Sequence, residues 1–298
     1  MKARIVTEDS LKHLYDAEYR RQPATAQSLA GTIGVNLDTA AQVLSELEAT
    51  GLATAKDGGY RLTDRGREYA VRVTRAHRLY ETYLAETGRR EEQWHAAAEQ
   101  MEHKITGEKL DRLSRQLGEP RFDPHGDPIP TATGELPPLR GAPLTECPAG
   151  WAGQVVHIED EPQAGYAEVI AAGVAFGTRL RVEMADERSV HIDVEGRHIE
   201  LSRLAAGHVT VAEAREAFDE TVMRLSTLRV GERGSVLGLS PACRGPERNR
   251  LLDLGVVPGT VVEIDIVSPA GNPVAYFIRG ASIALRNEQA DKILIKKL

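Results

Sequence analysis

Two stretches of the sequence combine carboxylates with imidazoles at the spacing of one helix face. Glu99, Glu102 and His103 stand at positions i, i+3 and i+4, which share one side of an α-helix. His77 and Glu81 repeat the i, i+4 spacing upstream. Carboxylate oxygens and imidazole nitrogens together suit Mn²⁺ or Fe²⁺. The spacing is compatible with a divalent metal site, but such pairs are common on solvated helix faces, so the spacing alone does not predict one.

Metal-assisted hydrolysis would be one use of such a site. It needs an open coordination position and a general base in a pocket. The sequence contains no HExxH motif, no glycine-rich phosphate loop and no nucleophile motif. We therefore expect the protein not to be an enzyme and to bind no small organic ligand.

The composition is ordinary for a soluble chain of 298 residues, with 41% hydrophobic and 27% charged residues. No apolar run approaches the ~20 residues of a membrane span, and the charged N-terminus does not read as a signal peptide. Cys147 and Cys243 make neither a disulfide framework nor a zinc site. We expect a cytoplasmic protein that does not enter a membrane.

The charge distribution leaves nucleic-acid binding undecided. The whole chain has a net charge of −7, which does not suggest a DNA-binding protein. Residues 1–75, however, hold eleven Lys and Arg against ten Asp and Glu, so this part repels phosphate least.

The N-terminal region has the element order of a winged helix. A helix is predicted over Glu8–Arg21, and Thr25–Leu52 reads as two helices joined by a turn near Gly34, with Asn36 or Asp38 capping the second. Two short strands then flank Asp57-Gly58-Gly59, a strong hairpin signal. In this arrangement the second helix would enter the major groove and the hairpin would lie over the DNA backbone.

A helical segment and a linker follow the hairpin. Helices are predicted from Arg65 to about Glu86, over about Glu91–Lys104 and over Gly107–Leu117. The next twenty-five or so residues are rich in proline and glycine and read as a linker.

The C-terminal half contains an internal repeat. Val169–Glu183 aligns with Leu251–Asp265 at an offset of 82, and each copy continues into a predicted hairpin. Many short strands in about seventy residues suggest a small barrel, present twice, with Val211–Leu225 as a connecting helix. The predicted fold class is a multidomain α+β chain with a winged helix-turn-helix, a helical dimerisation domain and two small SH3-like β-barrels. The predicted domains are 1–75 (winged helix), 76–138 (helical), 139–210 (first small barrel) and 223–298 (second small barrel).

These segments resemble a known family. The stretches TEDSLKHLYDAE, RAHRLYETYL, AAEQMEHKIT and DPHGDPIP within residues 1–135 are similar to the metal-dependent repressors that include the diphtheria toxin repressor and the manganese regulator MntR. Residues 140–210 resemble the SH3-like third domain of the longer members. Residues 223–298 resemble FeoA, a small SH3-like protein of ferrous iron transport, through RNRLLDLGVVPGT and GNPVAYFIRGASIALR.

The resemblance implies a primary metal site and a secondary one. The primary site would consist of Asp9, Glu99, Glu102 and His103, with His77 close by. The secondary site would consist of Glu81, Asp123, His125 and Asp160, and Asp160 would tie the first barrel to the helical domain. Asp160 could also belong to an ordinary acidic loop. The implied cofactor is Mn²⁺ or Fe²⁺, with two ions per subunit.

Three positions depart from, or add to, the family pattern. Glu99 stands where the iron-responsive branch has Cys, and a carboxylate favours the harder Mn²⁺ over Fe²⁺. Lys12 stands where MntR has Glu, which argues against the MntR form of a binuclear cluster. His95 matches an ancillary ligand of the iron branch.

The function implied is that of a repressor of manganese or iron homeostasis genes. Without metal, the clustered carboxylates of the primary site would repel one another, by ~4 kcal/mol for a pair ~4 Å apart at an effective dielectric of 20, and the first helix would be held loosely. A bound cation would fix that helix, and with it the spacing of two reading helices in a homodimer on double-stranded palindromic operator DNA. The predicted base-facing residues are Asn36, Thr39, Gln42 and Ser45, and the predicted phosphate contacts are Lys56 and Arg61.

An interaction protein is the rival interpretation. A FeoA-like adapter of a metal transporter could retain a winged helix that no longer reads DNA, since fold alone does not fix function. A metal-dependent mobility shift on the protein's own promoter would separate the two.

Overall fold

The computed structural model describes residues 2–105, 107–138, 140–160, 162–214 and 217–298. It divides into two compact units, which are described separately. The first unit contains residues 1–85, 89–123 and 127–139, and the second contains residues 86–88, 124–126 and 140–298. Within the described part of the chain, none of the helices combines the length and the apolar character that crossing a bilayer requires.

The first unit begins with a winged helix. Helices α1 (Lys2–Tyr19), α2 (Ala26–Ile33) and α3 (Leu37–Ala49) are followed by strands β1 (Ala53–Lys56) and β2 (Gly59–Leu62), which pair antiparallel. Asn36 caps α3 by accepting a hydrogen bond from the backbone N–H of Thr39, so of the two caps that the sequence leaves open, Asn36 and Asp38, it is the one used. Asp57 and Gly58 both have positive φ, which is the backbone that a two-residue hairpin turn of type I′ requires.

The packing of the winged helix explains why α1 belongs to it. Leu11, Leu14 and Tyr15 of α1 are buried in the same core as Leu29 of α2 and Leu44 of α3. Burying such side chains contributes about 1.5–3 kcal/mol each, so α1 is held to α2 and α3 by apolar contact.

Three helices complete the first unit. They are α4 (Asp64–Glu86), α5 (Trp94–Glu102) and α6 (Gly107–Gln116), and a short 3₁₀ turn, Glu91–Gln93, precedes α5. Gly66 lets α4 approach the wing, because a Cβ there would lie 1.8 Å from the carbonyl oxygen of Leu52. The helix predicted over about Glu91–Lys104 is shorter than expected, because α5 begins at Trp94 and ends at Glu102, with His103 as its C-cap.

The predicted linker is more ordered than its composition suggests. Arg78 donates a hydrogen bond to the carbonyl of Pro128 at 2.7 Å, Tyr15 donates to that of Gly134 at 3.2 Å, and Tyr19 donates to that of Pro137 at 2.8 Å. Proline and glycine here build turns that are fixed by side chains of α1 and α4. The linker prediction is therefore wrong for residues 128–137, because local composition does not reveal these contacts.

The second unit contains two sheets of the same topology. The first has strands β3 (Ala142–Pro143), β4 (Ala152–Ile158), β5 (Arg179–Ala185), β6 (Ser189–Val194), β7 (Arg197–Ser202) and β8 (Val209–Ala212), in the order β3-β8-β4-β5-β6-β7. Helix α7 (Gln163–Ala171) lies between β4 and β5, and α8 (Arg203–Gly207) lies between β7 and β8.

The second sheet repeats this plan. It has strands β9 (Val222–Arg224), β10 (Arg233–Leu239), β11 (Val261–Val267), β12 (Val274–Ile278), β13 (Ala281–Leu285) and β14 (Ile293–Lys297), in the order β13-β12-β11-β10-β14-β9. Helices α9 (Gly245–Asp253) and α10 (Asn287–Ala290) take the places of α7 and α8. These are the two SH3-like folds that the sequence predicts.

The repeat extends to local irregularities. Register shifts occur between Val182 and Met184 in the first sheet and between Ile264 and Ile266 in the second, 82 residues later. Gly177 and Gly259 both have positive φ before the strand that follows the helix. The sequence repeat therefore encodes the same helix-turn-strand geometry twice.

The predicted connecting helix over Val211–Leu225 is wrong. Val209 and Val211 alternate with half-buried residues in β8, which pairs with β3 and β4. Residues 215 and 216 lie outside the described residues, and the chain resumes as a strand, β9, from Val222. Pairing within a buried sheet here outweighs the helix propensity of the residues that follow β8.

Candidate metal centre

A carboxylate of α1 meets a carboxylate and an imidazole at the end of α5. We call Asp9, Glu102 and His103 the primary group; one ligand atom of each lies within 4.8 Å of the others. Donors to one metal ion at about 2.0–2.2 Å can be up to ~4.4 Å apart, so the group needs only small side-chain movements to hold an ion. Two carboxylates and one imidazole suit a divalent first-row metal, and the residues fit the implied cofactor.

The helix geometry brings the side chains of Glu102 and His103 together. Glu102 is in the last turn of α5 and is 4% exposed, and His103 follows at the C-cap with helical backbone angles. Asp9 lies on α1, whose core contacts hold it against the winged helix. The primary group therefore spans from a helix that packs within the winged helix to a helix outside it.

Hydrogen bonds connect α1 to α2 and to the wing as well. His13 Nε2 contacts Ser28 Oγ at 2.9 Å, and Thr32 Oγ1 contacts His13 Nδ1 at 3.0 Å. Glu18 Oε1 accepts a hydrogen bond from the backbone N–H of Leu62 in the wing at 2.9 Å. A displacement of α1 would thus be transmitted to both α2 and the wing.

The charges around Glu102 are compensated, which differs from the expectation of unrelieved repulsion. Lys12 donates to both carboxylate oxygens of Glu102, each at 3.0 Å, and His77 Nδ1 contacts Oε2. Burial raises the pKa of Glu102, but the bond to His77 and the charge of Lys12 outweigh it, so the pKa is lowered. The pKa of Asp9 is raised, chiefly by burial.

A second group adjoins the primary one. We call His77, Glu81 and His95 the ancillary group; one ligand atom of each lies within 4.8 Å of the others. His77 Nε2 lies 3.2 Å from Glu81 Oε1, and His95 Nδ1 lies 3.6 Å from the same oxygen. Because His77 also contacts Glu102, it joins the two groups.

Glu99 is not part of the primary group in this structure. Its carboxylate lies 3.4 Å from His95 Nε2, and half of the side chain is exposed. Hydrogen bonding to His95 lowers the pKa of Glu99. The predicted ligand role of Glu99 requires a different side-chain position from the one observed.

The remaining predicted metal ligands fall in both units. Asp123 is buried in the first unit, accepts a hydrogen bond from the backbone N–H of Asp127 at 2.9 Å, and has a pKa raised well above its usual value by burial and by the charges of Asp127 and Glu81. His125 is buried in the second unit, where its Nε2 lies 2.8 Å from the hydroxyl of Tyr166. Asp160 follows β4 and is half-buried.

The residues predicted to contact DNA are all exposed. Asn36, Thr39, Gln42 and Ser45 lie on or just before α3. The side-chain oxygen of Asn36 serves as the helix cap, and Gln42 donates to Glu46 at 3.0 Å. Lys56 ends β1, and Arg61 in β2 lies 3.3 Å from Asp57.

Two residues near the primary group, Glu8 and Tyr69, are not predicted from the sequence pattern. Glu8 is fully buried, contacts His103 Nδ1 and accepts a hydrogen bond from Tyr69 at 2.5 Å. Glu8, Leu11 and Tyr15 share the apolar stripe of α1, and a carboxylate on such a stripe is the signal that could have revealed it. Tyr69 carries no comparable signal.

Two family models match parts of the chain. The model described as iron dependent repressor, metal binding and dimerisation domain, matches residues 63–131. The FeoA domain model matches residues 223–297.

Individual relatives agree with these matches. The iron-dependent repressor IdeR of Mycobacterium tuberculosis (strain ATCC 25618 / H37Rv) is 32% identical over 204 residues, which cover 64% of this chain and 89% of the relative. A solved manganese-dependent transcriptional repressor in complex with manganese has a TM-score of 0.63 at 33% identity, covering 69% of this chain and 99% of that one. The structure of ScaR with bound Zn²⁺ has a TM-score of 0.58 at 26% identity, covering 70% and 99%.

Proposed function

Because the chain belongs to the family of metal-dependent repressors that includes IdeR and the diphtheria toxin repressor, we propose that its metal-dependent repression is activated by Mn²⁺ in preference to Fe²⁺ and controls manganese or iron homeostasis genes. Membership implies DNA binding and dimerisation through the domain that matches residues 63–131.

The observation that carries this proposal is the span of the primary group. Asp9 belongs to a helix that packs and hydrogen-bonds with the winged helix, while Glu102 and His103 belong to the end of α5. A bound divalent cation supplies positive charge between these carboxylates. Asp9 then holds α1, and Glu102 and His103 hold α5, so that metal binding favours one arrangement of the winged helix by its differential affinity for that arrangement.

Two ions per subunit are proposed. Asp9, Glu102 and His103 would hold the first, with Glu99 joining them after its side chain leaves His95. Glu81, Asp123, His125 and Asp160 are proposed for the second on the strength of the family pattern. Burial of Asp123 and its proximity to the charge of Glu81 support a carboxylate site there, since the two acids would share a counter-ion.

The preference for manganese rests on the donor types. The donors proposed for the first ion are oxygen and nitrogen only, and neither cysteine of the chain lies in the first unit. Oxygen-rich sites favour the harder Mn²⁺, whereas a thiolate favours softer ions. Metal supply in the cell also decides occupancy, because Fe²⁺ precedes Mn²⁺ in the general affinity order.

The proposed DNA complex is a homodimer on a palindromic operator, in the cytoplasm. Thr39, Gln42 and Ser45 on α3 would face base edges, and Asn36 would contact DNA while capping the helix. Lys56 and Arg61 would contact phosphates. Few cations line this surface, so we expect a shallow dependence of the binding constant on salt.

Anaerobic titration of Mn²⁺ and of Fe²⁺ against the protein's own promoter DNA tests this proposal. Mobility shift or fluorescence anisotropy should detect tight binding that requires metal and is reversed by EDTA, at lower free Mn²⁺ than Fe²⁺. Glu99→Cys should move the preference toward Fe²⁺, and if the preference is unchanged the selectivity argument fails. Binding that is independent of metal, or absent with both metals, would favour the adapter role instead.

A further inference from the structure

Lys12 lies where the primary group would receive its positive charge from a metal. Its Nζ donates to Oε1 and Oε2 of Glu102 at 3.0 Å each and lies 3.5 Å from His77 Nδ1. The Lys12 side chain is only 18% exposed, and that of Glu102 is fully buried. The ammonium thus neutralises a buried carboxylate that belongs to the proposed metal site.

The hydrogen bonds of Lys12 use the same lone pairs that a metal would need. Oε2 of Glu102 already contacts His77, and Oε1 lies 3.6 Å from His103 Nε2. With Lys12 on both oxygens, Glu102 has few acceptor positions left for an ion. A cation bound beside Glu102 and the Lys12 ammonium would also repel each other across a short distance.

The position of Lys12 on α1 makes this competition possible. Asp9 and Lys12 are three residues apart on the same helix and lie on one face of it. The helix that brings the metal ligand Asp9 to α5 therefore brings a competing cation with it. Lysine suits this role because its ammonium is a point charge on a flexible stem, which can leave without disturbing the backbone.

We propose that the Lys12 ammonium is an internal counter-ion of Glu102, which occupies the primary group in the metal-free protein, is displaced when a divalent cation binds, and so raises the metal concentration needed for activation. This inference rests on the proposed function, because it concerns the metal site of that function.

Replacement of the ammonium by an uncharged chain of similar length is the direct test. Lys12→Met should increase the Mn²⁺ affinity of the full-length protein at least about tenfold, equivalent to about 1.4 kcal/mol, as measured by equilibrium dialysis or calorimetry without DNA. The same variant should lower the melting temperature of the metal-free protein, because Glu102 is left without its cation. An unchanged or weaker Mn²⁺ affinity overturns the proposal.

Lys104→Met is the matched control. Lys104 is exposed and follows His103 directly, so this variant removes the same charge near the site without removing the contact to Glu102. Its Mn²⁺ affinity should stay within about twofold of the wild type. A tenfold gain in Lys104→Met as well would mean that net charge, and not displacement of Lys12, sets the affinity.

The two proposals fail in different ways. If the wild type binds no Mn²⁺ but Lys12→Met does, metal activation fails while the competition by Lys12 is supported. If the wild type binds Mn²⁺ and Lys12→Met binds it equally, metal activation stands and the role of Lys12 fails.

Displacement of Lys12 can also be tested in the wild type, so that the result does not depend on whether Lys12→Met folds. Lys12 can be labelled with an amine-reactive reagent and quantified by mass spectrometry relative to Lys104. Saturating Mn²⁺ should increase Lys12 labelling at least about threefold, because the amine is released from Glu102. Equal or lower labelling with Mn²⁺ overturns the displacement.

Discussion

Two of the buried carboxylate–cation clusters in the described part of the chain differ in how firmly the cation is held. In the helical unit, Glu102 is paired with Lys12 and is surrounded by imidazoles and a further carboxylate. In the unit of the two sheets, Glu195 lies 3.3 Å from Arg224 and accepts a hydrogen bond from Ser240 at 2.7 Å. Both carboxylates are buried, so burial alone does not distinguish a functional site from a structural one.

The difference lies in how the cation is held. Arg224 also donates to the carbonyls of Asp291 at 2.7 Å and Val194 at 3.1 Å, so its planar guanidinium is anchored from several sides. Lys12 is bound through one point charge, next to donors that a metal can use. The arginine cluster thus links two sheets through several fixed contacts, whereas the contacts of Lys12 are those that the proposed metal ion would replace.

Removal of the shared carboxylate should have the largest effect. Glu102→Gln replaces a charged donor of the primary group by a neutral amide, so DNA affinity at fixed Mn²⁺ should fall more than about 100-fold, because each metal ligand contributes more than the 10–100-fold typical of its supporting residues. Anisotropy with promoter DNA measures the loss. Glu108→Gln, on the exposed surface of α6, should bind within about twofold of the wild type. A loss of less than threefold in Glu102→Gln would remove the functional distinction between the two clusters.

Substitution of Asp9, the ligand proposed on α1, should reduce DNA affinity more than it reduces metal binding. Asp9→Asn weakens the link between α1 and α5 but leaves the ancillary group intact, so we expect DNA affinity to fall about 10- to 100-fold while some metal still binds. Parallel metal titration and anisotropy would detect this uncoupling. Asp253→Asn, at an exposed position of α9, serves as the control. Equal losses of metal binding and DNA binding would argue against α1 as the coupling element.

Local sequence signals predict those parts of the fold that local chemistry determines. The cap at Asn36, the hairpin at Asp57 and Gly58 and the 82-residue repeat depend on neighbouring residues, and the structure contains all three. The helix expected over Val211–Leu225 fails because β8 pairs with strands that are distant in sequence. The linker fails because Tyr15, Tyr19 and Arg78 anchor it from other helices.

The same division applies to the candidate site. Helical spacing groups Glu99 with Glu102 and His103, but the carboxylate of Glu99 lies 3.4 Å from His95 Nε2 and outside the primary group. His77 and Glu81, four residues apart on α4, do lie 3.2 Å from each other. Spacing within a helix gives no information on which side chains of α1 reach α5, so the contacts of Glu8 and Lys12 emerge only from the packing.

The ancillary group should matter less for DNA binding than the primary one. His95→Ala removes an imidazole from a group that lies entirely on α4 and α5, so the link to α1 remains. We expect weaker binding of metal at this group but a loss of DNA affinity below about fivefold. His198→Ala, whose side chain is 72% exposed in the first sheet, is the matched control. A loss as large as that of Asp9→Asn would mean that both groups transmit to the winged helix.

Glu195→Gln removes the charge of the carboxylate beside Arg224. It should change how the free energy of unfolding depends on pH and leave metal activation intact. Burial raises the pKa of Glu195, and the hydroxyl of Ser240 and the charge of Arg224 offset it only in part. A folded-state pKa above the unfolded value contributes stability that is present below the unfolded pKa, about 4.3, and is lost as pH rises through the folded pKa. The wild type should therefore lose stability relative to Glu195→Gln as the pH rises from 4.5 to 7. Denaturant unfolding in EDTA, followed through Trp151 in a Trp94→Phe background, measures this difference, with exposed Glu187→Gln as the control. If the wild type instead gains stability relative to Glu195→Gln over this pH range, the ion pair with Arg224 dominates the pKa of Glu195. If Glu195→Gln loses Mn²⁺-dependent DNA binding, the contrast between an exchangeable cation and a fixed one no longer holds.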